Sequence, residues 1–223
     1  EAQDRRIRFV EYNVPFNYSK INNYAVQQHA KGEHIILLNN DVEVISPNWI
    51  EELLMHSQRP EVGCVGAKLY YPNGQIQHAG VIIGIGGIAG HSHKYFPGDS
   101  PGYFSRLAIT QDVSAVTAAC LMVKRSIFDE VGGLNEEELK IAFNDIDFCL
   151  RVRELGYHNI FTPCCEAYHH ESISRGHEDT PEKIQRFNSE IAYMNMRHKI
   201  LLEKGDPFYN PNLTLDNENF SLR

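Results

Sequence analysis

His34-Ile35-Ile36-Leu37-Leu38-Asn39-Asn40-Asp41-Val42-Glu43 sets an apolar run of strand length directly against two amides and a carboxylate. Ile35 to Leu38 show no alternation, which predicts a strand buried on both faces, as in a parallel sheet covered by helices. Ligands of open α/β sheets gather beyond the carboxyl ends of the strands, so Asp41 stands where a hard cation and its phosphates could meet. Asn39 and Asn40 carry no charge but can hydrogen-bond a ribose or a phosphate. The competing reading is that Asn-Asn-Asp closes the strand and opens a turn. A second acidic group, Asn144-Asp145-Ile146-Asp147, opens a helix much later in the chain. The two groups are expected to face one pocket.

Working outward, residues 7–10 read as a short strand. Ser19 reads as an N-cap, with Ile21, Tyr24, Ala25 and Gln28 on one helical face and Gly32 just past the end. After the central strand, Ser46-Pro47 opens a helix whose inward stripe is Trp49, Ile50, Leu53 and Leu54. Val62 to Leu69 is a second buried strand. Helix, strand, helix, strand in that order predicts a parallel sheet with right-handed crossovers. Tyr71-Pro72-Asn73-Gly74 then signals a hairpin, with Gln75 to Ile83 returning.

Residues 84–111 form a long Gly- and aromatic-rich loop, of the kind that is usually functional. Its His91-Ser92-His93 offers two imidazoles to a metal, although such pairs are more often plain surface residues. Val113 to Lys124 is the longest strand candidate, and Ser126 caps a helix ending at Gly132-Gly133. A helix runs from Asp145 to Leu155, closed by Gly156. A strand follows over Tyr157–Thr162, ended by Pro163, with the polar segment Tyr168 to Gly176 beyond it. Thr180-Pro181 begins a long helix carrying Ile184, Phe187, Ile191, Met194 and Leu201, which Gly205-Asp206-Pro207 ends. Residues 1–205 are read as one domain, and 206–223 as a tail packing on it.

The chain has 223 residues, 42% of them apolar and 22% charged, as in soluble globular proteins. A net charge of -8 with no basic cluster argues against nucleic acid as a partner. No apolar run reaches the length of a membrane span, and the opening residues are polar, so a cytoplasmic location is expected. The five cysteines include no Cys-x-x-Cys pair, and three sit in apolar runs, which disfavours disulfides or a zinc site.

Asp145 and Asp147 both fall in the first turn of their helix, where a carboxylate contributes roughly 0.3–1 kcal/mol by capping alone. The functional reading has one of them take a proton from an attacking hydroxyl. Two positions apart on a helix they diverge, so only one can face a given pocket. Asp145 is the better candidate, since Asp147 is placed for local capping. His169 and His170 follow a strand end, and only one of two adjacent side chains there can turn to the pocket, where a neutral imidazole could complete a metal's shell.

Taken together these segments resemble the inverting family-2 glycosyltransferases of GT-A fold, especially bacterial rhamnosyltransferase-like enzymes. The resemblance runs over nearly the whole chain. It rests on Leu37 to Val44, Pro60 to Leu69, His78-Ala79-Gly80-Val81 and Val131-Gly132-Gly133-Leu134. It continues through Asn144 to Arg151, His169 to Arg175 and Asp206-Pro207-Phe208-Tyr209-Asn210-Pro211-Asn212-Leu213. It implies a Rossmann-like mixed sheet flanked by helices, with a long C-terminal helix and an extended tail. It also implies a nucleotide-sugar donor, Mn²⁺ or Mg²⁺, and a saccharide or lipid-linked saccharide acceptor. The setting would be polysaccharide assembly at the inner face of a membrane.

By the same resemblance Asp41 matches the metal end of the family's Asp-x-Asp-type motif, and Asp145 matches the base of its Glu-Asp motif. His169 would contact metal or diphosphate, Asn39 and Asn40 would meet the donor, and Ser174 and Arg175 would fold over the pyrophosphate. Three departures bear on this. Asn144 replaces the family's Glu, and Ala118 stands where many relatives have Gly. The family's first βαβ unit, which grips base and ribose, is not found before Glu1, so this stretch is expected to bind donor weakly without it. Two rivals remain in view. One is a degenerate transferase domain binding a glycan or partner without turnover. The other is a sugar-phosphate nucleotidyltransferase, which would need a Gly-rich phosphate loop.

Overall fold

The computed structural model describes residues 4, 6–170 and 180–223. Helices flank a mixed seven-stranded sheet on both faces. Helix α1 (Tyr18–Gln28) leads into β1 (His34–Leu38), β2 (Val42–Val44), helix α2 (Trp49–Ser57) and β3 (Val62–Tyr70). A hairpin gives β4 (Ile76–His78), and β5 (Val81–Ile83) pairs with β6 (Ala89–His91) in a separate two-stranded sheet. Then come β7 (Gln111–Val113), β8 (Cys120–Lys124), helices α3 (Arg125–Val131) and α4 (Asn144–Glu154), and β9 (His158–His169). Helices α5 (Pro181–Arg197) and α6 (Lys199–Lys204) precede the tail.

The strand order is β1-β8-β3-β9-β2, with β4 added to β3 and β7 to β9. β3 and β9 run parallel, but β8 is antiparallel to both β1 and β3. The sheet is therefore mixed, and the all-parallel order expected from the first two strands is corrected by the insertion of β8 between them. Every residue of β3 is buried. Leu53 of α2 packs on one face with Val65, Leu69, Met122 and Ile160, and Phe128, Phe148 and Val152 fill the other with α3 and α4. Cβ atoms at Gly63 and Gly66 would collide with Val152 and Val116, so glycine there lets α4 and the segment before β8 approach the sheet.

Several local expectations are corrected. β1 is buried on alternate positions only, and Leu38 is 43% exposed at its end. Residues 7–10 form no strand. Asn17, not Ser19, caps α1, its side chain accepting from Lys20 N–H at 2.9 Å. The buried face of α1 is Ser19, Asn23 and Val26, because its neighbour is a loop with carbonyls to satisfy. Asn23 exchanges two 2.8 Å hydrogen bonds with the backbone of Leu134. α2 begins after Asn48 rather than at Pro47, and Ile50 lies exposed.

The expected strand Val113–Lys124 is broken over residues 114–119. β9 runs straight through Pro163, its expected end, because the register with β3 shifts between Gly66 and Lys68 and the missing N–H falls in that bulge. Residues 168–169 thus belong to a strand. The long C-terminal helix is interrupted at His198, whose ring is buried against Asp147.

From Asp206 on, the tail folds back on itself and packs Tyr209, Leu213 and Phe220 on Ile82 and Ile85. Asp206 accepts the Ile83 amide at 2.7 Å. All five cysteines are free thiols, four of them buried. Among the described residues no helix is long and apolar enough to cross a membrane.

Candidate active site

Two adjoining cavities open beyond the ends of β1 and β9, sharing Tyr18, Asn39 and Ile141 as walls. The smaller, about 130 Å³, is lined among others by Asn39, Gln77, His91, Lys94, Ala118, Asp145 and His169. The larger, about 740 Å³, is lined by Phe16, Leu38, Asn39, Asn40, Asp41, Lys183 and Arg186 among others. Asp145 and His169 therefore face one cavity, and Asp41 faces its neighbour across Asn39. Ser174 and Arg175 lie outside the described residues.

Asp145 is the only carboxylate among the described residues lining the smaller cavity. Its Oδ2 accepts the Ala118 N–H at 3.0 Å and its Oδ1 accepts that of Ile146 at 2.9 Å. The Ala118 peptide is gripped from its other side as well, since Tyr18 Oη donates to its carbonyl at 3.1 Å. This is why the strand breaks: the backbone between β7 and β8 turns out of the ladder to meet α1 and α4. The turn before α4 is itself strained, with Phe143 at φ 58°. Asn144 is buried and donates to the Ile141 carbonyl at 2.8 Å, a bond that the glutamate of the resembled pattern could not donate when ionised.

Asp147 turns the opposite way, as its spacing from Asp145 requires. It is fully buried, 2.7 Å from Arg151 Nε and 2.9 Å from His198 Nε2. Burial alone would push its carboxyl up, but the hydrogen bonds from His198 and Arg151 prevail and hold it below the usual range. Its work is packing α4 against the C-terminal helices, rather than the capping expected of it.

His169 has an assignable tautomer. Gln77 Nε2 donates to the His169 carbonyl at 3.2 Å, which aims Gln77 Oε1 at His169 Nδ1, 2.8 Å away. Nδ1 therefore carries the proton, and Nε2 presents a lone pair. That lone pair lies 3.2 Å from Asp41 Oδ1 and 3.2 Å from Asn39 Nδ2. Asp41 Oδ1 is buried with no hydrogen-bond donor. Asn39 Nδ2 is placed to donate to Nε2, while Asp41 Oδ1 stands beside that nitrogen as a buried acceptor. Such a pair fits a cation, since adjacent ligands of an octahedral Mg²⁺-like ion stand about 3 Å apart. Among the described residues no group of three or more His, Cys, Asp or Glu could hold a metal ion. Two protein ligands completed by a diphosphate is nevertheless a usual arrangement for such ions.

His170 points away, 3.0 Å from Glu43 on β2. His91 and His93 take separate partners. His91 Nδ1 is 2.9 Å from Nδ1 of buried His78, and His93 accepts the Tyr103 N–H at 2.9 Å. The residues that sequence reasoning missed are Tyr18, Gln77, Lys183 and Arg186. Only Gln77 had a signal, as the position just before His78-Ala79-Gly80-Val81.

No family model matches the chain. It is 60% identical over 222 residues to an uncharacterized protein of Sinorhizobium fredii, covering all of this chain and 24% of that protein. It is 40% identical over 221 residues to the O-antigen biosynthesis protein RfbC of Myxococcus xanthus, covering 99% of this chain and 17% of that protein. A weaker match, 25% over 172 residues, covers 74% of the chain and 55% of the N-acetylglucosaminyl-diphospho-decaprenol L-rhamnosyltransferase of Mycobacterium tuberculosis. The chain thus spans a quarter or less of the first two curated relatives.

Among solved structures, GalNAc-T7 with UDP, GalNAc and Mn²⁺ superposes with a TM-score of 0.55 at 13% identity, over 78% of this chain and 34% of that one. The mannosyltransferase PcManGT of Pyrobaculum calidifontis, with GDP-Man and Mn²⁺, gives 0.51 at 14%, over 87% of this chain and 54% of that one. The mixed sheet with its flanking helices is the GT-A glycosyltransferase fold.

Proposed function

We propose that this chain forms the metal and acceptor half of a GT-A glycosyltransferase that inverts the configuration of the sugar it transfers. The observation that carries the reading is the meeting of Asp145, Asn39 and His169 on one small cavity that adjoins Asp41. The relatives named for O-antigen biosynthesis and rhamnosyl transfer support it, as do the sugar-nucleotide and Mn²⁺ complexes of the structural neighbours.

Asp145 is the general base. The Ala118 and Ile146 amides orient its carboxylate, which takes the proton from the acceptor hydroxyl as that oxygen attacks the anomeric carbon. The smaller cavity holds no second carboxylate among its described residues to serve as nucleophile, and Asn144 is neutral. A single displacement with inversion is the course that the family resemblance implies, through an oxocarbenium-like transition state. Asn39 and Asn40 hydrogen-bond the donor in the larger cavity, where Lys183 and Arg186 bring positive charge to its diphosphate. Asp41 and His169 would hold Mn²⁺ or Mg²⁺, which when bound offsets the charge of the departing nucleoside diphosphate. Ser174 and Arg175, from the resemblance, belong to the same donor side. The acceptor is a saccharide, free or lipid-linked, and the reaction is placed at the cytoplasmic face of a membrane.

Asp145→Asn tests this. With Mn²⁺ and a panel of UDP-, GDP- and dTDP-linked sugars, transfer and donor hydrolysis should fall by about 10²–10⁴-fold. Nucleoside diphosphate affinity should stay unchanged. Full turnover by the variant would exclude the base, and saccharide binding by a wild type that turns over no donor would favour a binding module.

A further inference from the structure

The loop carrying Tyr103 and the C-terminal arm wall another cleft, of about 480 Å³, which shares no lining residue with the two cavities above. One wall is aromatic. The Phe220 ring stacks with His93 (centroids 4.1 Å apart, planes at 26°) and with Tyr103 (5.1 Å, 18°), with Tyr209 edge-on at 5.2 Å. Phe208 and the ring of Pro207 continue it. Three non-glycine residues here hold left-handed backbone: Phe104 (φ 48°), Ser105 (φ 62°) and Phe220 (φ 60°). Such conformations cost energy and cluster where a surface is shaped for contact. Phe104 is left 84% exposed beside Tyr103.

Arg106 lines the same cleft as a cation without an anion. Its Nε is buried with no acceptor, and its guanidinium carbon lies 6.0 Å from the Phe220 ring centroid, with no ion pair to a carboxylate among the described residues. Burial pushes its pKa down, with Asp206, then Tyr103 and Tyr209, pulling the other way. Asp206 cannot supply a fork, since its Oδ2 accepts the Ile83 amide at 2.7 Å and its Oδ1 the Phe208 amide at 2.8 Å. A further guanidinium, Arg153, lies 5.0 Å from the Phe208 ring centroid. Tyr209 and Phe220 are buried in the wall, and Tyr103 and Phe208 are its partly exposed rings, so a neutral sugar would stack on those two and leave Arg106 unmet. A small free anion would meet Arg106 and leave the rings wet.

We propose that this cleft binds a saccharide bearing a carboxylate, its ring on the aromatic wall and its acid group on Arg106. The site is separate from the transfer chemistry and stands or falls without it.

Amide and arginine side-chain NMR of the chain tests this with three probes at equal ionic strength. They are a tetrasaccharide of alternating glucuronate and N-acetylglucosamine, cellotetraose, and acetate. The acidic tetrasaccharide should give saturable shifts at Arg106, Phe208 and Asn212 with a Kd at or below about 1 mM. The other two should not saturate. Arg106→Gln should weaken binding by about tenfold or more, and Arg106→Lys, which keeps charge but not the fork, should fall between. Asp145→Asn should bind as wild type. Absence of saturable shifts, equal binding of cellotetraose or acetate, or an unchanged Kd in a folded Arg106 variant would each overturn the proposal.

Discussion

Gln77 carries no charge, yet its amide decides which nitrogen of His169 carries a proton. Bonds in opposite senses, to the His169 carbonyl and the His169 ring, leave the imidazole one orientation and one tautomer. Replacing Gln77 by Ala frees the ring to turn and to place N–H toward Asp41. Outer-shell changes of this kind typically cost 10–100-fold in metal affinity. Mn²⁺ titration followed by electron paramagnetic resonance should show about that loss in Gln77→Ala. Gln77→Glu should restore part of it, since a carboxylate still accepts from Nδ1. Unchanged Mn²⁺ affinity in Gln77→Ala would remove His169 from the metal reading.

At the scale of elements, the site depends on a strand that stops being one. The apolar pattern of Val113 to Lys124 continues through residues 114–119, so nothing local announces the break. Its cause is long-range: the Asp145 carboxylate, the Tyr18 hydroxyl, and a Thr117 amide directed at His78 Nε2 at 3.4 Å. By contrast, the end of β1 at Leu38 and the buried span of β3 were legible, since each is a bounded apolar run. That Asp145 and Asp147 diverge could be read from helix spacing, whereas the buried polar face of α1 could not, because its partners are loop carbonyls a hundred positions away. Gly66 ties the break to the core. A methyl there would strike Val116, and Gly66→Ala should destabilise the fold by about 1–3 kcal/mol in urea unfolding. Transfer should fall further than stability explains, since Val116 lies two residues from Ala118.

For the molecule as a whole, two buried histidines set the response to acid. His93 is pushed down to about 3, chiefly by burial, with Arg106 and Lys68 adding to the effect. His78 is likewise pushed well down by burial, then by His91 and His169. Unfolded, each would protonate near pH 6.5. Their neutral burial therefore stabilises the fold fully above about pH 6.5 and is lost as the pH falls toward the folded values. Each histidine should remove about 1.4 kcal/mol per pH unit inside that window. Urea midpoints at pH 7.5, 6.0 and 5.0 should decline accordingly. His93→Gln should start lower but fall less steeply, and parallel slopes for wild type and variant would contradict this account.

The strand order has a consequence for how the protein is made. Among the described residues β1 pairs with β8 and β2 with β9, so neither of these pairings can form until the second strand of each pair has been synthesised. Long-range pairings of this kind close slowly, on a scale of milliseconds to seconds. A ribosome-bound nascent chain halted near residue 110 should thus remain protease-sensitive at Ile35 to Leu38, and one released past residue 170 should not. Chaperone dependence during expression would trace to that interval.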